Sequence, residues 1–167
     1  MKASQLVCEP CPVEASRKCI ALWHSRLPIT QPSPWILSFA ARDDERIVAV
    51  ALWHNPSARN LPKEWLELRR MAVAPNAPHC TASWFLAAMA KWIWQYMPGV
   101  KRLISYQDTS VHKGTIYKAA GWERGAVSKA RVRDRSKVRV GTNRAYRSNS
   151  NGVDVDGAEK VRWEKGR

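Results

Sequence analysis

Two apolar runs, Trp35 to Ala41 and Arg46 to Trp53, flank the turn-forming triplet Asp43-Asp44-Glu45. The pattern predicts a hairpin whose second arm is buried. Strands of this kind need helices packed on them, and the remaining chain supplies candidates. Residues 4 to 9 read as a short strand entering a turn at Pro10 and Pro12. Val13 to Trp23 has helical spacing, with Ala15, Cys19, Leu22 and Trp23 on one side. His24, Ser25 and Arg26 then open a loop containing Pro28, Pro32 and Pro34. Trp65 to Val73 is a further strand, with Glu67, Arg69 and Arg70 directed to a polar face. Thr81 or Ser83 caps a helix that runs to about Tyr96 and is stopped by Pro98-Gly99.

Arg102 to Tyr106 reads as a strand ending at Gln107-Asp108. Thr109 and Ser110 can cap a helix from about Val111 to Ala120, with Gly121 as its C-terminal cap. Trp122 starts another strand, and Val161 to Glu164 returns as a last one. Between them the stretch Ser148-Asn149-Ser150-Asn151-Gly152 reads as a mobile loop. This order predicts an α/β fold with a mixed central sheet flanked by helices, its site placed where strand ends diverge.

Charge narrows the partner. The 167 residues carry 28 Lys and Arg against 14 Asp and Glu, a net +14, and the pI is about 10.2. From Lys129 onward every second residue is basic: Lys129, Arg131, Arg133, Arg135, Lys137 and Arg139. An extended chain would place these cations along one edge about 6.6 Å apart, with a reach of about 33 Å. That is close to one turn of a DNA duplex. Were Asp134-Arg135-Ser136 a hairpin tip, Arg131 would face Arg139 and Arg133 would face Lys137, again on one face. Like charges so placed repel, and a polyanion relieves them; a solvated polar strand is the plain alternative. The longest apolar run, around Trp84 to Ala90, is too short for a membrane span. The N-terminus lacks a basic-then-apolar signal segment, which places the chain in the cytoplasm.

Four cysteines are present, and Cys8-x-x-Cys11 has a metal-like spacing. No second pair follows and Cys19 falls on a helix, so reduced, half-buried thiols are the expectation. His79 lacks the following glutamate and the Pro-Cys-x-x-Cys of a zinc deaminase. Most of the nine tryptophans, including Trp84, Trp92 and Trp94 on one helix, are expected in the core.

Polar residues gather at strand termini: Glu67 with Arg70, and Ser105-Tyr106-Gln107-Asp108 continuing through His112-Lys113-Gly114 to Tyr117. Asp108 can serve as a helix cap, Tyr117 as core, and His24 as a cap or surface residue. Two runs among these residues carry more. Glu67-Leu68-Arg69-Arg70-Met71-Ala72-Val73-Ala74-Pro75 is one; the other is Ile104-Ser105-Tyr106-Gln107-Asp108 with Gly114-Thr115-Ile116-Tyr117-Lys118-Ala119-Ala120-Gly121-Trp122. Over residues 20 to 125 they resemble the Mom proteins of Mu-like phages, DNA-modifying members of the GNAT (Gcn5-related N-acetyltransferase) superfamily.

The resemblance implies a GNAT-like catalytic core over residues 1–125 and a basic β-rich extension over 126–167 within the same domain. It implies a phage enzyme that adds an acyl or carbamoylmethyl-type group to N6 of adenine in double-stranded DNA, protecting it from host restriction, in the host cell cytoplasm. Arg70, Asp108 and Tyr117 match residues the family requires; His24-Ser25 matches the family's His-Tyr-Ser without its tyrosine. Asp108 would accept the amine proton, Tyr117 would protonate the leaving group, and Arg70 would bind a phosphate or orient the carboxylate. The base must be flipped out to be reached. The donor is acetyl-CoA or another activated acyl or aminoacyl carrier, with iron a further candidate. Most acetyl-CoA enzymes of this fold have a glycine-rich loop, whereas Asn76-Ala77-Pro78-His79-Cys80-Thr81-Ala82-Ser83 contains no glycine. The helix start at Thr81, Ala82 and Ser83 is therefore the expected anion site. The alternatives are a GNAT-type N-acyltransferase acting on a small-molecule or protein amine, or a non-catalytic DNA-binding protein.

Overall fold

The computed structural model describes residues 2–24, 34–58, 60–129 and 159–167. A 3-10 turn at Ala3–Gln5 leads into β1 (Val7–Pro10) and α1 (Val13–Trp23). Strands β2 (Leu37–Asp43), β3 (Arg46–His54) and β4 (Trp65–Val73) follow, then α2 (Thr81–Tyr96), β5 (Arg102–Asp108) and α3 (Thr115–Ala119). The described chain ends with β6 (Glu123–Ser128) and β7 (Lys160–Gly166). The seven strands form one mixed sheet in the order β1-β2-β3-β4-β5-β7-β6. Among the described strands only β4 and β5 run parallel; the other neighbours are antiparallel. The expected hairpin is β2–β3, closed by Asp44 in the left-handed region (φ 50°).

Two helical layers cover the sheet. On one face Phe85, Leu86, Met89 and Ile93 of α2 pack with Phe39, Trp53, Leu103, Trp122 and Trp163. On the other, Ile20 of α1 packs with Ala40, Val50, Leu52 and Ala72. The buried side of α1 overlaps the one the spacing suggests, since Cys19 and Trp23 pack against the core, but it is turned toward Ser16 and Ile20, which are fully buried, and leaves Leu22 79% exposed. Ser16 tolerates this position because its hydroxyl meets that of Ser38 at 2.8 Å, so no polar group is stranded. No described helix is long and apolar enough to cross a membrane.

Three further expectations are corrected. The first strand starts at Val7, after the 3-10 turn, and takes in Pro10; a sheet-edge strand tolerates proline. Neither Thr81 nor Ser83 caps α2; the N-cap is Cys80, at φ 65°, and Thr81 Oγ1 donates back to the Pro78 carbonyl at 2.6 Å. The helix expected over Val111–Ala120 shrinks to Thr115–Ala119, since Gly114 at φ 75° breaks helical geometry just before it. Its end matches the expectation. Gly121 is left-handed, Trp122 N donates to Tyr117 O, and Gly121 N to Lys118 O, which together form a Schellman cap.

The basic run falls largely outside the described residues. Lys129, just beyond β6, is exposed, whereas Arg131, Arg133, Arg135, Lys137, Arg139 and the 148–152 loop lie outside them. The last strand, β7, inserts between β5 and β6 and pairs with β5 along its whole length, from Arg102↔Gly166 to Asp108↔Lys160.

Candidate active site

Strands β4 and β5 pair only from Trp65↔Arg102 to Leu68↔Ser105. Beyond that point both continue without pairing to one another, so the parallel strands open into a cleft. The cause lies on the far side of β4. Leu52 pairs with Arg70 and Trp53 with Leu68, which leaves Arg69 as an extra, bulged residue. A bulge bends and twists its strand, and this one turns β4 away from β5.

Alternation along β5 sorts the cleft residues by face. Ser105 and Gln107 point to the α2–α3 side, where Tyr117 and Trp163 lie. Tyr106 and Asp108 therefore point to the α1 side. On β4, Arg70 lies opposite Leu52, a member of the α1-side core, and so takes the same side.

Tyr117 of α3 is buried at the point where the strands part. Its hydroxyl meets Ser105 Oγ at 2.9 Å, its ring stacks on Trp163 (5.3 Å, 8°), and Trp122 closes it edge-on at 5.7 Å. Burial raises its pKa, against a smaller opposing effect of the Ser105 hydrogen bond, so the phenol holds its proton at neutral pH. Trp163 is itself fixed by an indole N–H bond of 2.6 Å to Gln107 Oε1, while Gln107 Nε2 donates to the His112 carbonyl. Sequence reasoning misses the pairing of Gln107 with Trp163 beneath Tyr117, because their link spans 56 residues of sequence.

Asp108 ends β5. Its Oδ1 accepts from the Ser110 amide at 3.0 Å and from the Ser110 hydroxyl, which fixes the turn toward α3. Arg70 is half-buried, with Nη1 donating to the Arg69 carbonyl at 2.8 Å. Burial first, and then the neighbouring charge of Arg69, lower its pKa to about 10 despite Glu67. Glu67 is buried rather than displayed on a polar face. Its Oε2 accepts from the Ser57 amide at 2.9 Å and its Oε1 lies 3.4 Å from Arg69 Nη1. His24 ends α1, its amide bonded to the Ile20 carbonyl. Burial, then Arg70, then His112 push its pKa down to about 4, so its imidazole is neutral at physiological pH.

At the start of α2, Thr81 and Ser83 turn their hydroxyls back to the Pro78 and Cys80 carbonyls. What the helix offers an anion is thus its first-turn amides and dipole. The left-handed Cys80 supplies the local backbone bend that glycine would otherwise provide. Among the described residues no cluster of three His, Cys, Asp or Glu could hold a metal, so the iron candidate finds no ligand set there. Cys8 and Cys11 are free thiols; burial pushes the Cys8 pKa up to about 12.

An α/β sandwich in which a parallel strand pair opens beside a bulge defines the acetyltransferase fold of the GNAT type. Solved structures share it over almost the whole chain. The ribosomal-protein-S5-alanine acetyltransferase from Vibrio fischeri aligns with a TM-score of 0.62 at 8% identity, covering 97% of this chain and 93% of that one. AAC(6')-Ib, in complex with paromomycin and acetyl-CoA, aligns at 0.62 and 10% identity, covering 98% and 94%. The ribosomal-protein-S18-alanine N-acetyltransferase from Escherichia coli aligns at 0.57 and 12% identity, covering 96% and 93%. No curated protein sequence matches the chain. The chain belongs to the Mom protein family, whose model matches residues 35–164.

Proposed function

We propose that this protein is an acyltransferase-type enzyme that modifies the N6 amino group of adenine in duplex DNA, so shielding phage DNA from host restriction. The observation that carries this reading is the opened β4–β5 pair with Asp108 on its α1 face and the protonated Tyr117 buried at its α3 face. A base and an acid on opposite sides of a cleft suit transfer to an amine that enters from one side.

Adenine's exocyclic amine is a poor nucleophile, because its lone pair is delocalised into the ring. Asp108 hydrogen-bonds that amine and accepts its proton as the new bond forms. Tyr117 Oη supplies a proton to the leaving group, and Ser105 keeps the phenol aimed across the gap. The base must leave the stack to reach the cleft.

The residues present fit an acyl-CoA donor like the one bound by AAC(6')-Ib. The amides of Ala82 and Ser83 at the α2 N-terminus would hold its diphosphate, and the unpaired β4 edge from Arg69 to Val73 its extended arm. When bound, the donor supplies an activated acyl thioester.

Mass spectrometry of nucleosides from cells expressing the chain tests the reaction. A new adenine derivative is expected; unmodified adenine in cells that supply the donor would overturn the reading. The sequence also supports a duplex partner through Lys129, Arg131, Arg133, Arg135, Lys137 and Arg139. Duplex affinity should fall with salt by roughly −0.9 in log–log slope per phosphate contacted. Replacing Arg131, Arg133 and Arg135 by glutamine should flatten that slope by about 3. An unchanged slope would remove this segment from the DNA contact.

A further inference from the structure

Tyr106 is an aromatic ring left open at the mouth of the cleft. It is the first residue of β5 past the last pair with β4, Leu68↔Ser105. From there β5 keeps a neighbour among the described strands on its β7 side alone. Alternation puts the side chain on the α1 face, with Ile104 two residues before it and Asp108 two residues after. Ile104 is fully buried, whereas Tyr106 is 37% exposed. The cover of this face therefore ends between them, where the strands part. The cleft's other phenol, Tyr117, is stacked on Trp163 and closed by Trp122; among the described residues no aromatic ring lies against Tyr106.

The strand ladder fixes what flanks the ring. Arg162 of β7 is directly opposite Tyr106, which sets their β-carbons roughly 5 Å apart. Its Nε donates to Glu164 Oε1 at 2.8 Å, and its guanidinium lies 5.5 Å from the centre of the Trp65 ring. Glu164 pairs with Ile104 and Trp65 with Arg102, so both contacts draw Arg162 toward the foot of the sheet, away from Asp108. In the other direction Asp108 follows about 6.6 Å along the same face.

We infer that Tyr106 is the platform on which the extruded adenine stacks, its amino edge turned toward Asp108. This rests on the proposed reading of the chain as an adenine-modifying enzyme and adds the residue that positions the base. A flipped base has lost its stacking neighbours, and an exposed phenol face restores that contact. Its exocyclic amine needs a carboxylate acceptor, and the platform and Asp108 are one strand repeat apart on one face. Stacking accepts any base, because every base has a π-face. Tyr106 therefore sets how long a base stays, and Asp108 which edge it presents.

The full chain is titrated with a short duplex carrying one deoxyadenosine opposite an abasic site, where the base leaves the stack at little cost. A second duplex replaces that deoxyadenosine by another abasic site and keeps every phosphate. Wild type is expected to bind the first about tenfold more tightly, the worth of one stacked base. Tyr106→Leu should bind both as weakly as wild type binds the second. Tyr106→Phe should keep the preference, since its ring offers the same face. Full preference in Tyr106→Leu, or none in Tyr106→Phe, would overturn the platform. NMR of the wild-type chain needs no variant to fold: the Tyr106 ring signals should move upfield with the first duplex and stay with the second. Unmoved signals, or equal shifts with both, would overturn the platform as well. Modified adenine in cells, beside equal affinity for the two duplexes, would sink the platform and spare the reaction. A ring-dependent preference without modified adenine would do the reverse.

Discussion

Exchanging Asp108 for asparagine is expected to slow adenine modification by about 10²- to 10⁴-fold while leaving the fold intact. The substitution separates the two jobs the residue can hold. As a turn former, Asp108 needs an acceptor oxygen for the Ser110 amide, and an asparagine carbonyl supplies one at the same place. As a proton acceptor it needs a carboxylate, which asparagine lacks. The Asp108→Asn chain should therefore melt within roughly 3 °C of wild type, since a preserved surface hydrogen bond changes stability little. Its yield of modified nucleoside per unit time, measured by mass spectrometry, should collapse. An undiminished yield from this variant would leave the residue with its turn alone and move the base to another group on the α1 face.

What was readable in the chain was what repeats locally. The strand Trp65–Val73 and the helix ending at Tyr96 appear at the expected residues, since apolar period and Pro98-Gly99 define them without outside help. Gly121 marks the end of α3 for the same reason: its left-handed backbone is a local demand. Two departures are local, the left-handed Cys80 that caps α2 and the left-handed Gly114 that shortens α3; the others involve partners distant in sequence. Ser16 is buried because Ser38 answers its hydroxyl, and nothing within α1 announces that. The cleft depends on a bulge at Arg69 set by pairing with β3, and on β7 entering the sheet between β5 and β6. Within the candidate site, Asp108, Tyr117, Arg70 and His24 were visible as residue types at strand and helix ends. The Gln107–Trp163 support beneath Tyr117 needed three dimensions.

Gly114→Ala should be the most damaging single-methyl change among the described residues, lowering stability by about 3 kcal/mol. Two independent penalties meet at this position. Gly114 has φ 75°, where a β-carbon strains the backbone. That β-carbon would also sit 2.6 Å from Gln107 Oε1 and 2.6 Å from Trp163 Cζ2. Neither neighbour can withdraw cheaply, because the two are bonded to each other and Trp163 is stacked on Tyr117. Relief must break the indole hydrogen bond or shift the Trp163 ring on which Tyr117 stacks. Thermal denaturation should therefore show a Tm lower by roughly 10 °C, with modification activity falling in parallel even well below the new midpoint. Gly99 is the control: a β-carbon there meets nothing within 4 Å, and Gly99→Ala should melt close to wild type. If the two alanine variants melt alike, the left-handed turn before α3 is not what holds Tyr117 at the parting of β4 and β5.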